Sequence, residues 1–289
     1  MDGPASLAEV EVVAAALAAG DLEVVGQVVD SSNVALLCEV TGVAVTAATA
    51  ATGAPLHVIY KPVRGERPLW DFPDGTLAGR EVATFEVSRA GGWGVVPPTV
   101  LREGPLGQGS VQLWIGDPFD PQQEPRAVDI CAPGQVPPGW LAVVDGEIEG
   151  RRGRARAVSV VHEDRDDVRD VAVLDAVVNN GDRKGSHLIR DSRGALWGFD
   201  HGVALSAEPK LRTVLWGWAG QPLRDVDLAR LDTLAGLLDD PASQLSTTLE
   251  LLLPDDDVVA LRRRVRRLRS SGRHPTPSGG WPAIPWPAL

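Results

Sequence analysis

Two short polar stretches carry the residue types that do chemistry. The first is Asn179-Asn180-Gly181-Asp182-Arg183-Lys184-Gly185-Ser186-His187, and the second is Phe199-Asp200-His201-Gly202. Asp182 and Asp200 are 18 positions apart, room for a loop, a two-stranded excursion and a return. Two carboxylates brought to one pocket suit magnesium-dependent phosphoryl transfer, in which one orients the nucleophile and the other holds metal. A plainer role fits as well. Asn-Gly-Asp and Asp-Ser-Arg-Gly are good turn formers, and aspartates in turns commonly cap backbone.

The elements around these loops follow from capping, periodicity and turn chemistry. Ser6-Leu7-Ala8-Glu9 fits a capping box that opens a short Ala/Val helix, which Gly20 ends. Strands are predicted over 22–29, 34–40 and 56–61, with a turn at Asp30-Ser31-Ser32-Asn33 and a long Ala/Thr/Gly-rich loop over 41–55. After Trp70-Asp71-Phe72-Pro73-Asp74-Gly75, the spacing of Leu77, Val82, Phe85 and Arg89 predicts a helix over 76–90 that Gly91-Gly92 stops. Strands over 95–101 and 110–115 complete a five-stranded antiparallel sheet. The Pro-, Gln- and Asp-rich stretch 117–138 reads as a linker, and 140–161 as hairpin pieces with an arginine cluster. Helices are expected over 166–178, 225–238, 241–253 and 255–270, and the Pro/Gly/Trp-rich tail 272–289 is expected to be extended. The organisation is thus an N-terminal lobe over 1–116, a C-terminal lobe over 117–271 and a tail over 272–289. There is no internal repeat.

Composition narrows the function classes. The 289 residues suffice for a sizeable core, and 44% hydrophobic with 23% charged content is ordinary for a soluble globular protein. A net charge of −11 has the wrong sign for a nucleic-acid footprint and disfavours anionic membrane surfaces. Cys38 and Cys131 lack metal-ligand spacing and suggest reduced thiols in a cytoplasmic protein. No basic n-region or membrane-length apolar run is present. Only three lysines occur, against 25 arginines, and Lys61 and Lys184 fall inside candidate motifs.

Lys61 ends the apolar run Val58-Ile59-Tyr60-Lys61-Pro62, an awkward place for an ammonium without partners. Glu81 in the following helix can supply one; both can equally be solvated surface groups, and Glu86 is a rival nearer the helix middle. A strand-three lysine paired with a glutamate of the next helix grips the α- and β-phosphates of ATP in protein-kinase-like folds. The linear order also matches: hairpin, strand with lysine, helix with glutamate, two strands, helical region, Asp loop, Asp-x-Gly. Asn180-Gly181-Asp182-Arg183 resembles the catalytic loop, and Asp200-His201-Gly202 the metal loop, of the phosphatidylinositol 3-/4-kinase branch and of HipA-type kinases. More closely, Trp70–Gly75, Asn179–His187 and Gly198–Gly202 resemble an actinobacterial family related to phosphatidylinositol kinases, over most of the length.

The resemblance implies a bilobal, protein-kinase-like α+β fold, with an antiparallel N-terminal sheet plus one helix and a mainly helical C-terminal lobe. It implies ATP and Mg2+ (or Mn2+) as cofactors, an unidentified small-molecule, lipid or protein hydroxyl as acceptor, and no nucleic acid. Asp182 would serve the acceptor hydroxyl. Asp200 would hold metal. His187 stands where the family pattern has a second, usually Asn, ligand; imidazole suits zinc or manganese better than magnesium, or else contacts a phosphate. Lys184 stands at a position that is often His in the lipid kinases, and either touches the γ-phosphate or is solvated. Ser31, Ser32 and Asn33 take the place of a Gly-rich loop, as a phosphate nest or as an ordinary hairpin turn. Trp114 and Ile115 would lead into a hinge at the adenine edge, although Trp114 also suits a core. His162 reads as a surface group or as a support behind the catalytic residues. The arginines of the last helix read as a solvated face or a site for an acidic partner. Trp281 and Trp286 pack back on the body or meet a partner. Two rival functions share the fold: AMP transfer, and nucleotide binding without catalysis, as in a pseudokinase or scaffold.

Overall fold

The computed structural model describes residues 3, 6–28, 33–43, 54–67, 69, 72, 77–119, 126–149, 155–279 and 282–289. Helix α1 (Leu7–Ala19) starts where the Ser6 hydroxyl accepts the Glu9 N–H and ends with the Gly20 N–H on the Ala16 carbonyl. Strands β1 (Asp21–Gln27), β2 (Leu36–Thr41) and β3 (Leu56–Pro62) form a meander. Helix α2 (Leu77–Ala90) follows, then β4 (Thr99–Gly104) and β5 (Gly107–Leu113). The antiparallel sheet order is β1-β2-β3-β5-β4.

The period of two along β3 decides where its lysine goes. Leu56, Val58 and Tyr60 are buried in one core with Val13, Ala16 and Leu17 of α1, so Lys61 faces the opposite side of the sheet. Gly109 on β5 pairs with Pro62 of β3, and a Cβ on Gly109 would lie 2.5 Å from the Lys61 carbonyl oxygen and 2.5 Å from the Tyr60 ring. Only glycine permits that approach. The strand expected over 95–101 begins at Thr99 instead, because Pro97 and Pro98 have no N–H to give a ladder.

The expected linker is also corrected in part. Its residues Val128–Cys131 form β6, which pairs with β8 (Ala155–Glu163); β7 (Trp140–Glu149) pairs with the other edge of β8. The Pro-rich flanks hid a short alternating run that the apolar face of β8 completes. Helix α3 (Asp166–Val178) buries Val168, Val171, Leu174 and Val178. The hairpin β9 (Leu188–Arg190) and β10 (Leu196–Gly198) occupies the interval between the two acidic loops. Helices α4 (Asp225–Asp239), α5 (Gln244–Leu252) and α6 (Asp255–Ser271) close the second half.

The result is a two-lobed α+β molecule. A smaller core unites α1 with the sheet, and a larger one unites α3, α4, α5 and α6. Ala83, Phe85 and Val87 of α2 belong to the larger core, so this helix is shared between the lobes. Among the described residues, no helix is long and apolar enough to cross a membrane.

Candidate active site

Helix α3 ends at Asn179, whose φ of 54° is a left-handed conformation that Asn tolerates. Its side-chain amide donates to the carbonyls of Ser206 (3.0 Å) and Glu208 (2.7 Å), and its oxygen accepts the Lys210 N–H (3.0 Å). The helix end is thereby tied to the segment after the Asp200-His201-Gly202 loop. Asn180 spans the turn: its amide donates to Asp175 at 3.0 Å, and its oxygen accepts the Asp182 N–H at 3.0 Å. This Asx geometry presents the Asp182 carboxylate. One carboxylate oxygen meets Lys184 Nζ at 2.9 Å and the other meets Arg212 Nη2 at 3.0 Å.

Arg183, next in the chain, is fully buried. Its guanidinium pairs with Asp175 at 3.0 Å and donates to the carbonyls of His187 (3.2 Å) and Phe199 (2.9 Å). It also meets His201 Nε2 at 2.6 Å. Burial first, and then the Arg183 charge, hold His201 well below the usual imidazole range, so its ring is neutral and Nε2 accepts. Arg183 therefore grips the residues on both sides of Asp200 while its own neighbour is Asp182. Sequence reasoning gave Arg183 no role. A signal existed: Asp175 sits on the apolar face of α3, and a carboxylate there needs a buried cation.

Asp200 takes a left-handed φ of 60°. Its carboxylate receives Lys61 Nζ at 2.8 Å, and its other oxygen lies 3.4 Å from His187 Nε2. Lys61 Nζ is also 2.5 Å from Glu81, whose second oxygen accepts the His201 N–H at 2.9 Å. One chain of contacts thus runs from β3 through α2 to the Asp-x-Gly loop. The Lys61 charge, opposed by desolvation, pushes the Asp200 carboxyl well below the usual carboxylate range. Desolvation would lower Lys61, but Asp200 and Glu81 outweigh it and raise the ammonium above its ordinary value. Glu81 has 4% of its side chain exposed and Asp200 has 49%, so Asp200 is the member that faces solution. Burial pushes His187 down to about 4, which leaves a neutral imidazole beside a carboxylate.

Among the described residues, no group of three or more His, Cys, Asp or Glu side chains is arranged to hold a metal ion. Asp200 and His187 form a pair. Magnesium is commonly held by one or two carboxylates together with substrate phosphates, so Asp200 fits it, whereas the His187 imidazole suits a softer ion better.

The other expected site residues are spread more widely. Ser31 and Ser32 lie outside the described residues. Asn33 Oδ1 accepts the Arg67 N–H at 2.9 Å and so braces a neighbouring loop. Ile115 is buried in the smaller core, and the half-buried Trp114 donates its backbone N–H to the His57 carbonyl at 2.9 Å. Lys184 touches Asp182, not a residue of the Lys61 chain. His162, expected at the surface, is fully buried against Trp218, because β8 runs under the loop that carries Gly217. The last helix is not a uniformly solvated face: Arg264 is half-buried and caps the Val177 and Ser206 carbonyls. Trp281 lies outside the described residues, and Trp286 is exposed.

No family model matches the sequence. Protein Rv2133c of Mycobacterium tuberculosis is 42% identical over 281 residues, covering 95% of each chain. The chain belongs to the family of that protein. Among solved structures, the crystal structure of the Golgi casein kinase is similar to this chain with a TM-score of 0.47 and 13% identity, covering 91% of this chain and 75% of that one.

Proposed function

We propose that the chain is an ATP- and magnesium-dependent phosphotransferase of the phosphatidylinositol 3-/4-kinase-like type. One observation carries the reading: Lys61 Nζ sits between Glu81 at 2.5 Å and Asp200 at 2.8 Å, on elements brought together from both lobes. An ammonium so placed can bind the α- and β-phosphates of ATP as substrate, with Glu81 keeping it aimed. Asp200 and His187 would hold the divalent ion, which supplies neutralisation of phosphate charge. Arg183 keeps the Asp182 loop and the Asp200 loop in register, so both carboxylates are pre-positioned and little reorganisation is left for the reaction. Asp182 orients the acceptor hydroxyl and takes its proton.

Replacing Asp200 by Ala should abolish magnesium-dependent ATP turnover while the fold persists by circular dichroism. Turnover equal to that of the wild type ends the assignment. Release of pyrophosphate instead of ADP would convert the reading to AMP transfer. A second reading, nucleotide binding without turnover, draws on His187 at the place of the second metal ligand; ATP binding by calorimetry with no product in the wild type would favour it.

A further inference from the structure

We infer that the acceptor is a small soluble molecule that carries an anionic group beside its hydroxyl; this rests on the phosphotransferase reading of the same site. Asp182 is bracketed by two cations, Lys184 at 2.9 Å and Arg212 at 3.0 Å. Their side chains are 22% and 25% exposed, so neither is sealed from solvent, although Arg212 Nε is buried. The trio carries one net positive charge in a chain of net charge −11. Orienting a hydroxyl needs the carboxylate alone. With Lys184 paired to Asp182 or meeting the γ-phosphate, Arg212 is the cation left over, and an anion arriving with the acceptor supplies its counter-charge. A guanidinium remains charged at any working pH and makes charge-assisted hydrogen bonds to phosphate or carboxylate oxygens.

The backbone beside these cations argues against a peptide acceptor. Gly185, which follows Lys184, donates its N–H to the Ala288 carbonyl at 2.8 Å. Thr213, which follows Arg212, donates to the Ala283 carbonyl at 3.0 Å, and Trp216 Nε1 donates to the same oxygen at 2.9 Å. Residues 282–289 therefore bridge the two loops and already occupy backbone donors with which an extended peptide would pair. The negative charge of the whole chain opposes docking on an anionic bilayer.

In the reaction, the acceptor oxygen bonds to the γ-phosphorus as the bond from that phosphorus to the β–γ bridging oxygen breaks. ADP departs, the hydroxyl proton passes to Asp182, and Lys184 with Arg212 holds the anionic group. The test is calorimetric. Full-length protein saturated with magnesium and β,γ-imido-ATP is titrated with glycerol 3-phosphate, inorganic phosphate and glycerol. The expected result is binding of both phosphate-bearing probes but not glycerol. Arg212→Gln should weaken that binding at least about tenfold, roughly 1.4 kcal/mol, and Arg212→Lys should restore part of it. Absence of phosphate-probe binding to the nucleotide-loaded wild type, or equal binding by Arg212→Gln, overturns the inference and leaves the phosphotransferase reading standing. Preferential binding of phosphatidylcholine vesicles doped with phosphatidylinositol, or of Ser/Thr peptides, overturns it too. Failure of the nucleotide itself to bind removes the phosphotransferase reading and this inference together.

Discussion

A buried imidazole that must stay neutral makes the molecule acid-sensitive at particular residues. His162 accepts the Gly217 N–H at 3.0 Å through Nε2 and packs 4.5 Å from the Trp218 ring. His274 stacks on the same ring with centroids 6.1 Å apart. Burial lowers both, His274 to about 4, with Arg169 and Arg224 adding to its shift and Asp227 opposing it; Asp164 opposes the shift of His162. An unfolded histidine titrates near ~6.5. As pH falls below that value the unfolded chain takes up protons and the folded chain does not. The stability His274 contributes is therefore complete above about 6.5 and is lost on the way down to about 4, at up to ~1.4 kcal/mol per pH unit, and His162 acts in the same direction. Urea midpoints measured across this range should fall with pH. His274→Gln should flatten the dependence by about one proton's worth; an unchanged slope would remove His274 from the account.

Helix α2 must hold Glu81 against Lys61, and what fixes the helix is one residue earlier. Arg80 donates to Asp257 at the start of α6 (2.6 Å) and to the Ala204 carbonyl just past the Asp-x-Gly loop (2.9 Å). Asp257 in turn accepts the Ala207 N–H at 2.6 Å. Phe72 from the Trp70–Gly75 motif lies under the Arg80 guanidinium at 4.6 Å. Asp257→Ala leaves Arg80 as an unpaired buried charge and should cost about 3–5 kcal/mol. Arg80→Leu with Asp257→Leu removes both charges and should recover most of that stability while the proposed ATP turnover stays low, because α2 is no longer tied to the segment after Asp200-His201-Gly202. Thermal melts and turnover measured on the same three proteins decide; a double variant with wild-type turnover would show that the ion pair only stabilises. This clamp was not legible in the sequence. Lys61 was, because a lysine on an apolar strand requires a partner; the next helix offered Glu81 and Glu86, and it is Glu81 that pairs with it. Arg80 and Asp257 are 177 positions apart, and nothing local in either marks the other. The boundaries of α3 and the hairpin between the acidic loops were equally readable from apolar spacing and turn residues. Strand β6 was not, since its pairing partner lies far along the chain.

At the scale of the whole molecule, the two cores are stitched together by elements that enter both. The apolar face of α2 packs with α3 and the later helices, although the chain reaches α2 from the sheet. The β9–β10 hairpin does the reverse: Leu196 belongs to the larger core, whereas its neighbour Trp197 is buried in the smaller one with Leu56 and Tyr60. The Gly198 N–H on the Val95 carbonyl at 2.8 Å, the Glu81 bond to His201 and the Lys61 bridge to Asp200 add polar seams along the same line. Unfolding the sheet alone would expose Trp197 and leave the Asp200 and Glu81 carboxylates without their ammonium. Unfolding the helices alone would expose Phe85 and Val87. Neither half can open without exposing apolar groups of the other, and each large side chain so exposed costs about 1.5–3 kcal/mol. Differential scanning calorimetry should therefore record one transition with matching calorimetric and van't Hoff enthalpies. Trp197→Ala should shift that transition down without splitting it, because α2 still joins the halves. Two resolved transitions in the wild type would mean that the lobes behave as separate folding units. The site between them would then need substrate to assemble it.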